Sequence, residues 1–285
     1  METPPVKALL QQFGLKAKKR LGQHFLVDED MLECILSAAE LSRKDIVVEV
    51  GPGLGILTKR LAEVAGKVIA VELDFKLVRM LRESLASFSN IKIIHADILK
   101  IAPQQLLGDY LTIPELAQGY KVVANLPYYI TSPILRHFLE AWAKPSLMVV
   151  MVQKEVGEAI AANPGKMSLL SVSTQFYSKP TIIAFVSAGS FYPPPKVDSL
   201  ILRLDVYSKP PIEVCDVDSF FDIVSCGFRS PRKQLRNSLA QALGMPPSQV
   251  ALLLGKAGIE AKRRAETLNL GEWKELGEVF APFRK

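Results

Sequence analysis

The chain has 285 residues and is 49% hydrophobic, enough for a packed core, which excludes a disordered chain. Its 35 basic and 29 acidic residues leave a net charge of +6, a balance that suits a polyanionic partner without requiring one. Three cysteines (Cys34, Cys215, Cys226) with no Cys-x-x-Cys spacing and three scattered histidines (His24, His95, His137) exclude a disulfide framework and a zinc site, so a reducing compartment and no metal are expected.

The start of the chain lacks the apolar run of a signal peptide and the composition of a transit peptide. The longest strongly apolar run, near Leu147–Val152, is too short to span a bilayer. A soluble, cytoplasmic protein without a membrane partner is expected.

The chain opens on a basic cluster, Lys16, Lys18, Lys19 and Arg20. Short β-branched runs then alternate with helical patterns. Asp45–Val50, Val68–Glu72, Ile91–Ile94, Lys121–Ala124 and Leu147–Val152 read as buried strands, as in a parallel sheet covered on both faces. Helices are expected at Leu57–Ala65, after Asp74 (with Leu77, Leu81 and Leu85 in register), and from Ser132-Pro133 as cap and first residue, with Leu135, Phe138, Leu139 and Trp142 on one apolar face. Thr181–Ser187 and Ser199–Leu204 read as two further strands, with no crossover helix between them and so antiparallel. Lys209-Pro-Pro211 marks a boundary. Beyond it the pattern is helical: Asp216 to Cys226, a helix opened by Ser230-Pro231 and closed by Gly244, and a last helix carrying Trp273, Leu276, Val279 and Phe280. The expected fold is α/β: a doubly wound, mostly parallel Rossmann-like sheet with a small C-terminal all-helical domain. The boundaries are 1–208, with a basic arm at 1–26, and 209–285.

Three stretches carry chemistry. Val48-Glu-Val-Gly-Pro-Gly-Leu-Gly55 joins the first of these strands to a helix, and Gly51, Gly53 and Gly55 let the backbone turn sharply and approach a ligand. Glu72 ends the next strand, 21 residues after Gly51, where a carboxylate accepts from ribose hydroxyls. Asp97 ends the third, placed to accept from an adenine amine. Each acid alone also fits a solvated strand end or a helix cap. Together with the turn they suit a nucleoside ligand without a phosphate chain.

Asn125-Leu126-Pro127-Tyr128 follows the fourth strand. The adenine N6 is a poor nucleophile, because its lone pair is delocalised into the ring. The Asn125 side-chain oxygen and a backbone carbonyl next to Pro127 can hold its N–H groups and aim the lone pair at a methyl donor. Tyr128 would stack on the extruded base. An aromatic-packed turn is the plainer alternative. Gly189–Ser199 is stiffened by three prolines. It offers Phe191 as the opposite face of an aromatic clamp and Lys196 toward a phosphate, or serves only as a rigid connector.

Taken with Leu21-Gly-Gln-His-Phe-Leu26, Gln153-Lys-Glu-Val156, Phe228-Arg-Ser-Pro-Arg-Lys233 and Arg264-Ala-Glu266, these stretches make a chain that resembles the ribosomal RNA small-subunit adenine dimethyltransferases. One departure is Met167-Ser168, where such proteins often carry Tyr-Gly. The resemblance implies methylation of N6 on two adjacent adenosines near the 3′ end of small-subunit rRNA, with a role in small-subunit biogenesis. It implies S-adenosylmethionine as cofactor, held by His24, Leu26, Gly51, Glu72, Asp97 and Asn125, and small-subunit rRNA, within the subunit or its precursor, as partner of a monomer. With such a substrate, Lys18, Lys19 and Arg20, and Arg229, Arg232, Lys233 and Arg236, read as phosphate contacts; Arg232 and Arg236, spaced i,i+4, would share a helix face. The alternatives are a large-subunit rRNA adenine methyltransferase, a DNA adenine methyltransferase, and an assembly or transcription factor that keeps the fold without catalysis.

Overall fold

The computed structural model describes residues 6–15, 17–18, 22–108 and 119–283. They form two compact units. One comprises the chain up to Gly157 together with Lys179–Val206; the other comprises Glu158–Ser178 and the chain from Tyr207 onward.

The first unit is built on a seven-stranded sheet. Its strands are β2 (Ile46–Val50), β3 (Lys67–Glu72), β4 (Ile91–His95), β5 (Lys121–Asn125), β6 (Leu147–Gln153), β7 (Ser178–Val186) and β9 (Ser199–Val206), in the order β4-β3-β2-β5-β6-β9-β7. The first five pair in parallel, and β9 runs antiparallel to β6. Every residue of β2 is buried, as expected for a strand covered on both faces. Helices α2 (Glu29–Ala39), α3 (Ile56–Val64) and α4 (Phe75–Ser84) supply the apolar faces. Leu32, Ile35, Leu57 and Leu61 pack with Val47, Val68 and Val149 in one cluster. In another, Leu77, Leu81 and Leu85 pack with Phe25 and with Val6 and Leu10 of α1 (Val6–Gln12). A separate two-stranded ribbon pairs β1 (Phe25–Leu26) with β8 (Phe191–Tyr192), Leu26 opposite Phe191.

The strand order reverses between β2 and β5. The crevice outside the carboxyl ends of the strands at such a switch point is where ligands bind in doubly wound sheets. The turn after β2, the ends of β3 and β5 and the turn after β4 all meet there.

Three sequence expectations change. The helix over 131–139 begins at Thr131, so Ser132 is not its cap, and Pro133 sits third in the first turn, where its missing N–H costs nothing. That helix stops at Leu139, capped by the Glu140 N–H on the Arg136 carbonyl. Trp142 therefore leaves the apolar face and is 88% exposed. Ser230-Pro231 does not open a helix either. The Lys233 N–H closes a turn on the Ser230 carbonyl, and the helix runs Leu235–Leu243 with the Leu235 N–H on the Arg263 carbonyl.

The second unit is helical: Leu169–Tyr177, Val217–Phe228, Leu235–Leu243, Pro247–Lys256 and Leu270–Phe280. Residues 158–178 belong to it, which moves the expected 1–208 boundary. Phe176 stacks on Phe220 at 5.0 Å and Tyr177 on Phe221 at 6.0 Å, while the Gly165 and Met167 N–H groups donate to the Glu266 carbonyl. Trp273 and Phe280 are fully buried.

Candidate active site

One cavity gathers Gly51, Gly53, Glu72, Asp97, Asn125 and Tyr128. After β2 the chain passes through three glycines at positive φ: 68° at Gly51, 58° at Gly53 and 78° at Gly55. A side chain at Gly55 would meet Leu81 at 2.7 Å, and one at Gly53 the Phe25 ring at 3.0 Å. Both the left-handed backbone and the space require glycine. Gly55 also starts α3, which points its free N–H groups toward the turn.

Glu72 is 6% exposed. Its Oε1 accepts from the Asp74 N–H at 2.8 Å and its Oε2 from the Gly53 N–H at 3.3 Å. Burial pushes its pKa up, and those amides pull it down. Asp97 caps the short helical turn Ile98–Lys100 by accepting from the Leu99 N–H at 3.1 Å, so the cap reading holds while the residue also lines the cavity.

Asn125 donates from Nδ2 to the His24 carbonyl at 3.1 Å, which fixes the amide and turns Oδ1 away from that bond. The Leu126 N–H holds the Met151 carbonyl at 3.1 Å, the Ile130 N–H takes the Pro127 carbonyl at 3.1 Å, and the Thr131 hydroxyl donates to the Tyr128 carbonyl at 3.3 Å. Tyr128 bonds the Ser199 hydroxyl at 2.7 Å and stacks on His24, centroids 5.9 Å apart. His24 in turn donates its Nδ1–H to the Pro193 carbonyl at 2.7 Å. His24 and Leu26 both line the cavity, carried there by the β1–β8 ribbon. A rigid loop and the start of the chain thus buttress the Asn125–Tyr128 turn together.

Phe191 does not face the cavity. It is 3% exposed and packs with Leu26, Val186 and Ile201. In a strand neighbouring side chains point to opposite faces. Pairing with Leu26 turns Phe191 inward, while Tyr192 packs beside Phe25 and Leu77. The clamp expectation for Phe191 is corrected accordingly. Lys196 is exposed.

Lys18 is not a free phosphate contact: its Nζ lies 2.6 Å from Asp74 Oδ2. Lys19 and Arg20 lie outside the described residues. Arg229 and Arg232 are exposed in the second unit. Lys233 donates to Gln241 Oε1 at 2.9 Å, and Arg236 to Asn237 Oδ1 at 3.4 Å. Arg232 stands in the turn before the helix, so it shares no helix face with Arg236.

The sequence reading passed over two residues that line the cavity. Glu49 is 2% exposed and its Oε2 has no partner; its signal was its place two residues before Gly51. Tyr129 follows the Asn125–Tyr128 turn directly. Among the described residues no group of three or more His, Cys, Asp or Glu side chains is placed to hold a metal ion, and no helix is long and apolar enough to cross a membrane.

Residues 14–280 match the family model described as ribosomal RNA adenine dimethylase. A protein of Dehalococcoides mccartyi named ribosomal RNA small subunit methyltransferase A is 50% identical over 274 residues, covering 96% of this chain and 92% of its own. A protein of the same name from Moorella thermoacetica is 43% identical, with 96% of each chain covered. Among solved structures, the 23S rRNA methyltransferase ErmE superposes with a TM-score of 0.69 at 30% identity, over 90% of this chain and 99% of its own. A dimethyladenosine transferase from Plasmodium falciparum shares the fold, with a TM-score of 0.75 at 24% identity over 91% of this chain and 98% of its own.

Proposed function

The chain belongs to the ribosomal RNA adenine dimethylase family, and we propose that it methylates N6 of two adjacent adenosines near the 3′ end of small-subunit rRNA, giving N6,N6-dimethyladenosines. The observation that carries this reading is the meeting of the Asn125–Tyr128 turn with Glu72 and Asp97 in a single cavity.

S-adenosylmethionine fits the residues present. Glu72 and Asp97 are acceptors for ribose hydroxyls and an adenine amine. The partnerless Glu49 oxygen, buried on the cavity wall, is a polar group left for a bound ligand to meet. His24, Leu26 and the turn Gly51–Gly55 complete the enclosure. When bound, the cofactor supplies an electrophilic sulfonium methyl.

The protein's own groups do the rest. Asn125 Oδ1 accepts one N–H of the target amine. The Leu126 carbonyl takes the other, since those of Pro127 and Tyr128 are committed to the Ile130 N–H and the Thr131 hydroxyl. Two fixed acceptors favour a pyramidal nitrogen with its lone pair along the transfer line. This is positioning with preorganised dipoles, and it needs no strong base. Tyr128 presents its ring to the base and is steadied by Ser199.

The small-subunit substrate is favoured over the large subunit because the relatives at 50% and 43% identity carry the small-subunit name, whereas ErmE is 30% identical. The exposed Arg229, Arg232 and Lys233 and the half-buried Arg236 fit a role in rRNA binding, and we place the protein in the cytoplasm, as a monomer acting during subunit biogenesis. Incubation with labelled S-adenosylmethionine and unmethylated small subunits, large subunits or naked rRNA, followed by nucleoside analysis, tests the proposal. Dimethyladenosine in small-subunit rRNA is expected. Label confined to the large subunit would transfer the chain to the rival activity, and no label in any substrate would point to an assembly factor without catalysis.

A further inference from the structure

Two consecutive tyrosines follow Pro127, and the structure treats them differently. Tyr128 is committed: its hydroxyl bonds Ser199 at 2.7 Å and its ring stacks on His24. Among the described residues Tyr129 has neither restraint. Its ring lines the same cavity and yet is 54% exposed, so it stands at the mouth. Gly22 packs beneath it: a side chain at Gly22 would touch Tyr129 Cδ1 at 3.4 Å, and that backbone, at φ +60°, already favours glycine. The ring therefore leans from the turn after β5 onto the segment that precedes β1, between two walls of the cavity. Tyr129 lines the cavity together with Asp97, Glu72 and the half-exposed Leu73; burial raises the pKa of its phenol, and the carboxylates of Asp97 and Glu72 raise it further.

We propose that Tyr129 is a cofactor-binding residue that stacks on the nucleoside of S-adenosylmethionine and closes the Glu72–Asp97 end of the cavity, leaving Tyr128 to the target base. The inference rests on the reading of this cavity as the cofactor site and divides the labour within it. A half-exposed aromatic ring beside two nucleoside acceptors offers a π-face to a purine, an interaction worth a factor of roughly 5 to 100 in affinity. It gains that contact only once the purine is in place, so the ring is the outermost contact the nucleoside must pass on entry and exit.

The test is calorimetric titration of the full-length protein with S-adenosylmethionine, S-adenosylhomocysteine and 5′-methylthioadenosine, which keeps the nucleoside and lacks the amino-acid end. Tyr129→Phe is expected to bind all three within about twofold of the unmodified protein, and Tyr129→Ala to weaken all three by a common factor of roughly 5 to 100. Small-subunit affinity should be unchanged in both variants. Because the ring is half exposed, the Ala variant should melt as the unmodified protein does, and Tyr129→Leu gives a second variant if it does not. Unchanged affinity for all three ligands in a folded Ala or Leu variant overturns the proposal. So does a loss confined to subunit binding, which would assign the ring to RNA. Failure of the unmodified protein to bind any of the three would instead remove the cofactor reading of the cavity.

Discussion

Glu49 shows how much a single buried group can hold. It lines the cavity with Oε2 unpartnered, and burial pushes its pKa up to about 8; the adjacent Thr58 hydroxyl opposes that shift, without a hydrogen bond of normal geometry, and the nearby Glu72 adds to it. The protonated form is thus the favoured one in the folded protein at neutral pH. A folded pKa raised above the usual 4.5 means stability that is full below about pH 4.5 and is lost as pH rises toward 8. Each unit is worth about 1.4 kcal/mol. Glu49→Gln should match the unmodified protein in denaturant unfolding at pH 5 and exceed it by a few kcal/mol at pH 8.5. An equal difference at both pH values would show that Glu49 titrates as an ordinary carboxyl.

The target-base turn permits a kinetic separation. Asn125→Ala should lower methyl transfer by roughly 100-fold or more, as removal of a preorganised polar contact does elsewhere, while small-subunit affinity stays within about twofold. Tyr128→Phe keeps the ring and should be mild in transfer, losing mainly the Ser199 bond, worth roughly 0.5–1.5 kcal/mol of stability. Tyr128→Ala should be severe. Equal losses in the Phe and Ala variants of Tyr128 would assign the effect to the hydroxyl and refute the stacking role. These residues were legible in the sequence because side-chain chemistry is local: an amide, a proline and an aromatic in four positions. Phe191 was not, since whether it faces cavity or core depends on its pairing with Leu26, 165 residues earlier.

At the scale of elements, the central strands were readable because a strand covered on both faces is almost wholly apolar, as β2 is apart from Glu49 and β6 apart from Gln153; Ile91–Ile94, expected to be buried, lies at the sheet edge and is buried only at Ile94. Helix ends were harder. Asp74 caps where the sequence placed it, and Asp216, read only as the start of a helical stretch, caps one too, but Ser230 closes a turn and Ser132 lies inside its helix. The same residue types serve caps and turns, and the choice is made by groups distant in sequence, such as the Arg263 carbonyl that receives Leu235. The unusual pair Met167-Ser168 acquires a role here. Ser168 caps the helix Leu169–Tyr177 reciprocally with Ser171, and Met167 is 5% exposed. Ser168→Ala should cost about 1 kcal/mol, read as a shift in the denaturant midpoint with no change in slope. No shift would mean that water replaces the cap.

At the scale of the whole molecule, chemistry is proposed to lie in one unit and placement on the rRNA in the other. Lys209-Pro-Pro211 suggested a boundary near residue 208, whereas the place of 158–178 in the second unit was not legible, because Phe176 meets Phe220 only after an intervening run of strands. The cationic group Arg229, Arg232, Lys233 and Arg236 belongs to this second unit and the cofactor cavity to the first. Phosphate contacts release counterions, so each one lost flattens the logarithmic salt dependence of rRNA binding by roughly 0.7–0.9. Arg236 already donates to Asn237, whereas Arg232 stands exposed in a turn, so Arg232→Ala should change the slope more than Arg236→Ala. The double variant should lower small-subunit affinity while its affinity for S-adenosylmethionine stays unchanged. Subunit binding across a salt series, beside calorimetry of the cofactor, decides the matter. An unchanged slope and affinity in the double variant would make this face merely solvated. Loss of cofactor binding in a folded variant would show that the two units do not divide the work as their sequences suggest.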